Sequence, residues 1–496
     1  MTRSCIRGGE VLTDAGCERL DLWIEGGRIA ALTAPGAPPH FTGGVSILEA
    51  RGQLVMPGLV NAHTHSQSAL LQGAVPGEPL DVFILRSMAR RAPRSARLLH
   101  VGALFHAMAM LKQGVTGCVD HVRDGLLPTA AGVGVVLSAY KEIGIRAAVA
   151  PMYEDRLYLD SLPIDPAALP RELRERLGAA KRPPPEAYFE MMEALAARWR
   201  GVDGRLELLL GVDGPQRCTE RLLELTGDFA RRHRMGLHTH LLEAKTQHLL
   251  APAEHGGSFV RYLDRFGLVN ERSSLAHFVW CSDEDIALAA ERRVSVVHNP
   301  VSNLILGSGI LPAARLVRAG VSVALGTDGQ SGSPPSVLEQ AKFASLLSRV
   351  CDTNPAHWLG PRETLRMASE GGAAVLGLAG QAGRIAPGMR ADLALIDVTG
   401  PSWRPRGDVH HHLVQLETGG NVRTVLVEGE VVVRDGRCTR IDEADVLEEA
   451  QALAEENARA NEASLAAAAR DAPHMLNLLV DALQRRAAHN RFAELR

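Results

Sequence analysis

The sequence predicts an α/β fold built on a (β/α)8 TIM-like barrel, and three observations predict it. From about Pro57 to Gly377 short apolar segments alternate with longer helical ones, the pattern of a parallel sheet covered by helices. Eight such strands can be quoted: GLVNAH, GVTGCVDH, IRAAVAP, RLELLLGV, MGLHTHL, SSLAHFV, VSVVHNP and VSVALGTDG. In seven of the eight a polar or ionisable residue stands at or just past the C-terminal end, where a barrel of this class carries its reactive groups.

Around the barrel the texture changes. Residues 1–55 read as short strands with glycine turns (LWIEGGRIAAL), and so does VRTVLVEGEVVVRDGRC from Val422 to Cys438. The two ends are expected to pair into one small composite β-domain, with GRIAPGMRADLALIDV leading back into it. The expected divisions are 1–55 and 383–441 for the β-domain, 56–382 for the barrel and 442–496 for a tail. That tail is rich in Ala, Glu, Leu and Arg and reads as helix, with a break near Pro473. Asp155 to Pro185, with its KRPPPE, reads as a long loop over the barrel mouth.

Composition narrows the function classes. The 496 residues exceed one ordinary core and predict a large domain plus an accessory one. A net charge of −3 gives no basic field for nucleic acid. Seven scattered cysteines, with no Cys-x-x-Cys, suggest neither a disulfide framework nor a thiolate metal site. No apolar signal core opens the chain and no stretch reaches the roughly 18 apolar residues of a membrane span, so a soluble cytoplasmic protein is expected.

The chemistry begins in VMPGLVNAHTHSQ. His63 and His65 are one residue apart, so on a strand both imidazoles point to the same side and one metal ion can take both. GLHTHLLEAK repeats the spacing with His238 and His240, followed by Glu243, and spacing alone does not choose between the two histidines. Further strands end on His277, on His298 with Asn299, and on Asp328. Nitrogen and carboxylate ligands without thiolate suit zinc or ferrous iron. His121, ending the second strand, fits either a place facing substrate or a structural role. His410, His411 and His412 fall beyond the barrel and are expected on a solvated loop.

The ordered motifs resemble the amidohydrolase superfamily, in its mononuclear deaminase and triazine-hydrolase branch. The resemblance covers nearly the whole chain and includes VMPGLVNAHTHSQSALLQG, HNPVSNLILGSG, GTDG, TLRMASEGGAAVLGL and GRIAPGMRADLALID. It implies His63, His65, His240 and Asp328 as ligands of one divalent metal ion, Zn2+ or alternatively Fe2+. The family's spacing from ligand to glutamate selects His240 over His238. It further implies Glu243 as proton shuttle, His277 as a hydrogen-bonding group for water or substrate, Asp328 as base, and a homo-oligomer. Asn299, Ser302 and Asn303 match as shaping and supporting groups. Binuclear relatives carry a carbamylated lysine on the fourth strand; RLELLLGVDGPQRC contains none, so a single metal is expected.

Two departures bear on the substrate. Adenosine-type deaminases carry a histidine after the fourth strand, where this chain has Asp213, and a tryptophan after the first strand, where it has Phe83. Both argue against a nucleoside. The expected reaction is metal-dependent hydrolysis of a non-peptide carbon–nitrogen bond in a small molecule, foremost deamination of an N-heterocycle. Hydrolytic dehalogenation and amide or urea hydrolysis use the same water with another leaving group. A noncatalytic barrel scaffold is the reading from another class, and the intact reactive set argues against it.

Overall fold

The computed structural model describes residues 3–38, 44–74, 77–90, 92–179, 182–254 and 257–485. Its centre is the barrel. The strands are Leu59–His65, Val115–Asp120, Arg146–Val149, Leu206–Leu208, Leu237–Leu241, Ser273–His277, Ser295–His298 and Ser322–Leu325, each inside a segment quoted above. Every neighbouring pair that forms a ladder is parallel. The fourth strand continues through Gly211–Val212 and meets the fifth by backbone bonds from His238 N to Leu210 O and from His240 N to Asp213 O. The eighth continues through Asp328–Gly329, which lies beside Thr64 and His65 of the first strand and closes the ring.

These strands are apolar on both faces because helices cover the outside and side chains fill the inside. The helices begin where the sequence offers caps: Thr129 accepts from Gly132 N, and Ser282 and Asp285 form a reciprocal capping box. Gly326 is required by close approach. A Cβ there would stand 2.4 Å from Asn299 Oδ1 and 2.8 Å from His63 Cβ, inside the wall that holds the first histidine.

Both termini contribute strands to one nine-stranded sheet. Its seam is Leu393–Asp397, antiparallel to Gln53–Pro57 on one side and to Val422–Val427 on the other. The N-terminal share of that sheet runs to Pro57, two residues past the break read from the sequence.

Three readings are corrected. The tail is one helix, Glu443–Arg485, with Pro473 inside it; residues 486–496 lie outside the described residues. Packing outweighs the lost backbone bond, since Ala472, Met475 and Leu479 are buried against Val82, Leu85 and Leu173. The Asp155–Pro185 segment is largely structured: it holds turns at Tyr158–Ser161 and Pro166–Ala168 and the helix Arg171–Gly178, whose Leu173 and Leu177 enter the same cluster. Residues 180–181 of it lie outside the described residues. Finally, His410–His412 sit on the helix Val409–Gln415 and not on a solvated loop. His412 stacks on buried Trp403 and bonds Ser402 O at 2.6 Å, His410 is buried, and only His411 is exposed.

Candidate metal centre

The residues singled out at the strand ends converge at one end of the barrel. His63 and His65 come from the first strand, His240 from the fifth, His277 from the sixth and Asp328 from the extension of the eighth. Glu243 follows the fifth strand by two residues. His277 and Asp328 have φ of 75° and 59°, a left-handed conformation that costs a non-glycine residue about 1–3 kcal/mol. The fold bears that strain where the two side chains are aimed inward.

Hydrogen bonds fix which imidazole nitrogen carries the proton. Ser274 Oγ donates to Leu237 O at 3.2 Å, so it accepts from His238 Nδ1 at 2.7 Å. His238 Nε2 is then an acceptor, and His63 Nδ1 donates to it at 2.7 Å. His63 Nε2 is left bare, buried and without a partner. His65 Nδ1 donates to His121 O at 2.6 Å, and His240 Nδ1 donates to Asp213 O at 2.8 Å and Asp213 Oδ1 at 3.0 Å. Their Nε2 atoms face each other 3.3 Å apart.

Asp328 Oδ1 stands 3.0 Å from His65 Nε2 and 3.5 Å from His63 Nε2. Three imidazole lone pairs and a carboxylate oxygen thus crowd one point with no proton between the neutral rings. Such a donor set repels itself unless a cation sits among it, and nitrogen with carboxylate is the chemistry zinc or iron accepts. Burial lowers the His65 pKa, and Asp328, the His121 carbonyl and Asp120 together raise it above its ordinary value. Burial alone would raise the Asp328 pKa; the His63 and His65 rings hold it well below the usual carboxylate range.

Glu243 lies beside this set. Burial pushes its pKa up to about 8, with His240 opposing and Asp328 assisting. Its Oε1 is 3.7 Å from His277 Nε2. His277 gives its Nδ1 proton to Asn303 Oδ1 at 2.8 Å, so Nε2 is a bare acceptor; burial holds that imidazole below its ordinary pKa. Ser302 Oγ donates to Asp328 Oδ2 at 2.5 Å.

His298 is buried at the edge of the group, its pKa lowered to about 3 by burial and by His277, and its Nδ1 has no partner. His121 donates from Nε2 to Gly211 O at 3.0 Å and stacks on His240, so it is part of the wall. Ser274 was invisible to sequence reasoning. Its part depends on the lateral register that sets it opposite His238, and no local pattern reports that.

The whole chain can be compared with known proteins on this footing. The amidohydrolase family model matches residues 54–432. The chain belongs to the amidohydrolase family. It is a metal-dependent hydrolase of carbon–nitrogen bonds, and a divalent metal ion is its cofactor. A 5'-deoxyadenosine deaminase of Methanothermobacter thermautotrophicus is 31% identical over 462 residues, spanning 91% of this chain and 98% of its own. A 5-methylthioadenosine/S-adenosylhomocysteine deaminase of Desulforamulus reducens is 30% identical, with 90% and 98% covered.

Among solved amidohydrolase structures, an adenosine deaminase from Xanthomonas campestris with bound zinc superposes at a TM-score of 0.80 with 27% identity, covering 92% of this chain and 98% of that one. A triazine hydrolase from Arthrobacter aurescens gives 0.82 at 23% identity, covering 92% and 100%, a likeness of fold. Among the described residues, no helix is long and apolar enough to cross a membrane.

The relay behind His63 makes a contrast testable. In His240→Ala, bound metal should be lost outright. His238→Ala removes only the acceptor of His63 Nδ1, which should weaken metal binding about 10- to 100-fold and cost about 1–3 kcal/mol of stability. Metal titration and denaturant unfolding of both variants check this; loss of metal from the His238 variant alone would move the ligand to that residue.

Proposed function

We propose that the protein hydrolytically deaminates an amino-substituted N-heterocycle, with His63, His65, His240 and Asp328 holding one zinc ion, Glu243 as proton shuttle and His277 as a hydrogen-bonding group. The observation that carries the reading is the convergence of three bare Nε2 atoms and the Asp328 carboxylate next to Glu243, whose pKa burial pushes up to about 8. The names of the relatives support an aminopurine-like ring, and the zinc of the adenosine deaminase supports zinc over iron. A cation in this donor set supplies Lewis acidity, which brings the pKa of a water molecule to about 7.

The chain's own groups do the rest. Asp328 is ionised, with Ser302 holding Oδ2 and Oδ1 turned to the histidines, so it can take the proton of an attacking water. The bare Nε2 of His277 accepts a hydrogen bond and orients that water or the oxygen it becomes. Glu243, whose pKa burial pushes up to about 8, gives its proton to the ring nitrogen; the attacking water's two protons, taken up by way of Asp328, then complete the departing ammonia and reload Glu243. Burial of all three excludes bulk water from the exchange. The absence of a lysine from RLELLLGVDGPQRC, where binuclear relatives carry their bridging one, supports one metal per chain.

Asp213 does not stand free for substrate. Its carboxylate accepts from His240 Nδ1 and, at 2.5 Å, from Arg217 Nη1. The position held by a substrate-facing histidine in adenosine-type deaminases is thereby used to orient a ligand, so what hangs from the ring is open to differ from ribose.

A panel of aminopurines, aminopyrimidines, aminotriazines, chlorotriazines and arylureas, scored for ammonia, chloride and amine, tests the reading. Ammonia from an amino ring, lost on chelation and restored by about one zinc per chain, is expected. Chloride as the main product would make the enzyme a dehalogenase, and a protein with neither metal nor turnover would be a scaffold.

The pH profile is a second check. Because Glu243 must be protonated to donate, kcat/KM should fall as pH rises through about 8. The residual rate of Glu243→Gln should lack that alkaline limb.

A further inference from the structure

Beside the first strand's exit lies a pocket of about 30 Å³, lined among others by Ser66, Gln67, Arg90, Arg94 and Asn457. That is about twice the ~10–15 Å³ one water needs, enough for the oxygens of a small anionic group. It adjoins the metal-ligating set: Gln67 Nε2 is 3.4 Å from His65 Nδ1 and 3.5 Å from His121 O. The pocket's outer wall is the long C-terminal helix, whose buried Asn461 holds the backbone of Ala92 at 3.1 Å. Ala92, which lies between Arg90 and Arg94 in the sequence, is thereby tied to that helix.

What distinguishes the two arginines is the absence of an anion. Neighbouring arginines have theirs: Arg86 pairs with Glu78, Arg97 with Glu449, Arg123 with Glu154. Among the described residues no carboxylate lies within 4.0 Å of Arg90 or Arg94, and Arg94 spends one donor on the carbonyl of Arg123. Asp124 is the one acidic group felt by Arg94, and it is opposed by Arg123 and Arg90. Desolvation lowers the pKa of both, that of Arg94 to about 10. Two partly buried guanidinium groups lining one pocket without a carboxylate in contact are costly, and a planar carboxylate or a phosphate is the partner their donor geometry fits.

We propose that this pocket receives an anionic substituent, a carboxylate or phosphate, carried by the heterocyclic substrate whose ring sits at the metal centre. The inference rests on the deaminase reading for the ring and adds the chemistry of its side arm.

The test uses matched pairs of aminoheterocycles that differ only in a neutral or a carboxylate-bearing arm, and adenosine against its 5'-monophosphate. Ammonia release is measured on the zinc-loaded enzyme, and binding is measured by calorimetry on Glu243→Gln. The anionic member of at least one pair should have a kcat/KM and an affinity at least tenfold above its neutral twin. That ratio should fall toward one in Arg94→Met and in Arg90→Met, and survive in Arg94→Lys. A ratio near one in the wild type, or a preference that persists in Arg90→Met/Arg94→Met, overturns the proposal.

Inorganic phosphate separates a substrate arm from a free ion. Competition against the anionic substrate alone supports the arm, whereas activation of neutral substrates by phosphate assigns the pocket to a free anion and overturns it. Arginine-dependent binding of anionic rings to a protein that releases no ammonia from any ring would keep the pocket and sink the deaminase reading.

Discussion

Glu243→Gln is expected to bind metal like the wild type while turnover falls by about 10²- to 10⁴-fold, the usual share of general acid–base catalysis. Glutamine keeps the shape of the side chain, so the backbone bond of residue 243 to Gln247 Oε1 at 2.9 Å should persist. The substitution removes the exchangeable proton alone. It even relieves a cost: a carboxyl group whose pKa burial pushes up to about 8 is disfavoured in its charged form, and a neutral amide has no charged form. The variant should therefore be no less stable at alkaline pH. Metal analysis beside steady-state kinetics decides the matter. A metal-free variant would make Glu243 a ligand, and a fully active one would take it out of the mechanism.

The sequence exposed this centre because a barrel writes its site at predictable places. Each strand is short and apolar, so a histidine or aspartate at its end stands out against the run before it, and His63, His65, His240, His277 and Asp328 were all legible for that reason. What stayed hidden depends on lateral neighbours or on packing. Ser274 fixes the proton on His238 and thereby on His63 because parallel register sets it across from that residue. The helix through Pro473 survives because its apolar face is buried on a segment that its prolines had marked as loop. His410 and His412 are buried by a helix too short to show a period. Nothing in the sequence singles out Arg90 and Arg94, and only the fold shows that, among the described residues, no carboxylate lies within 4.0 Å of them.

Asp328→Asn should be the more damaging change, with metal occupancy and rate falling together. Asparagine is nearly the same size, and it tolerates a positive φ as well as aspartate does, so the 59° backbone at this position is not disturbed. The amide oxygen still has Ser302 Oγ to accept from, at the place where Asp328 Oδ2 now lies. What disappears is the negative charge facing His63 and His65, and with it the balance for a dication among neutral rings. The group we propose to take the water's proton goes at the same time. Loss of proton transfer alone is worth about 10²- to 10⁴-fold in turnover, and metal depletion adds to it. Excess zinc should restore occupancy before it restores rate, because concentration compensates for weakened binding and not for a missing base. A variant that regains full activity on zinc addition would show that Asp328 binds the ion without carrying the proton, and that another group, His277 first among them, is the base.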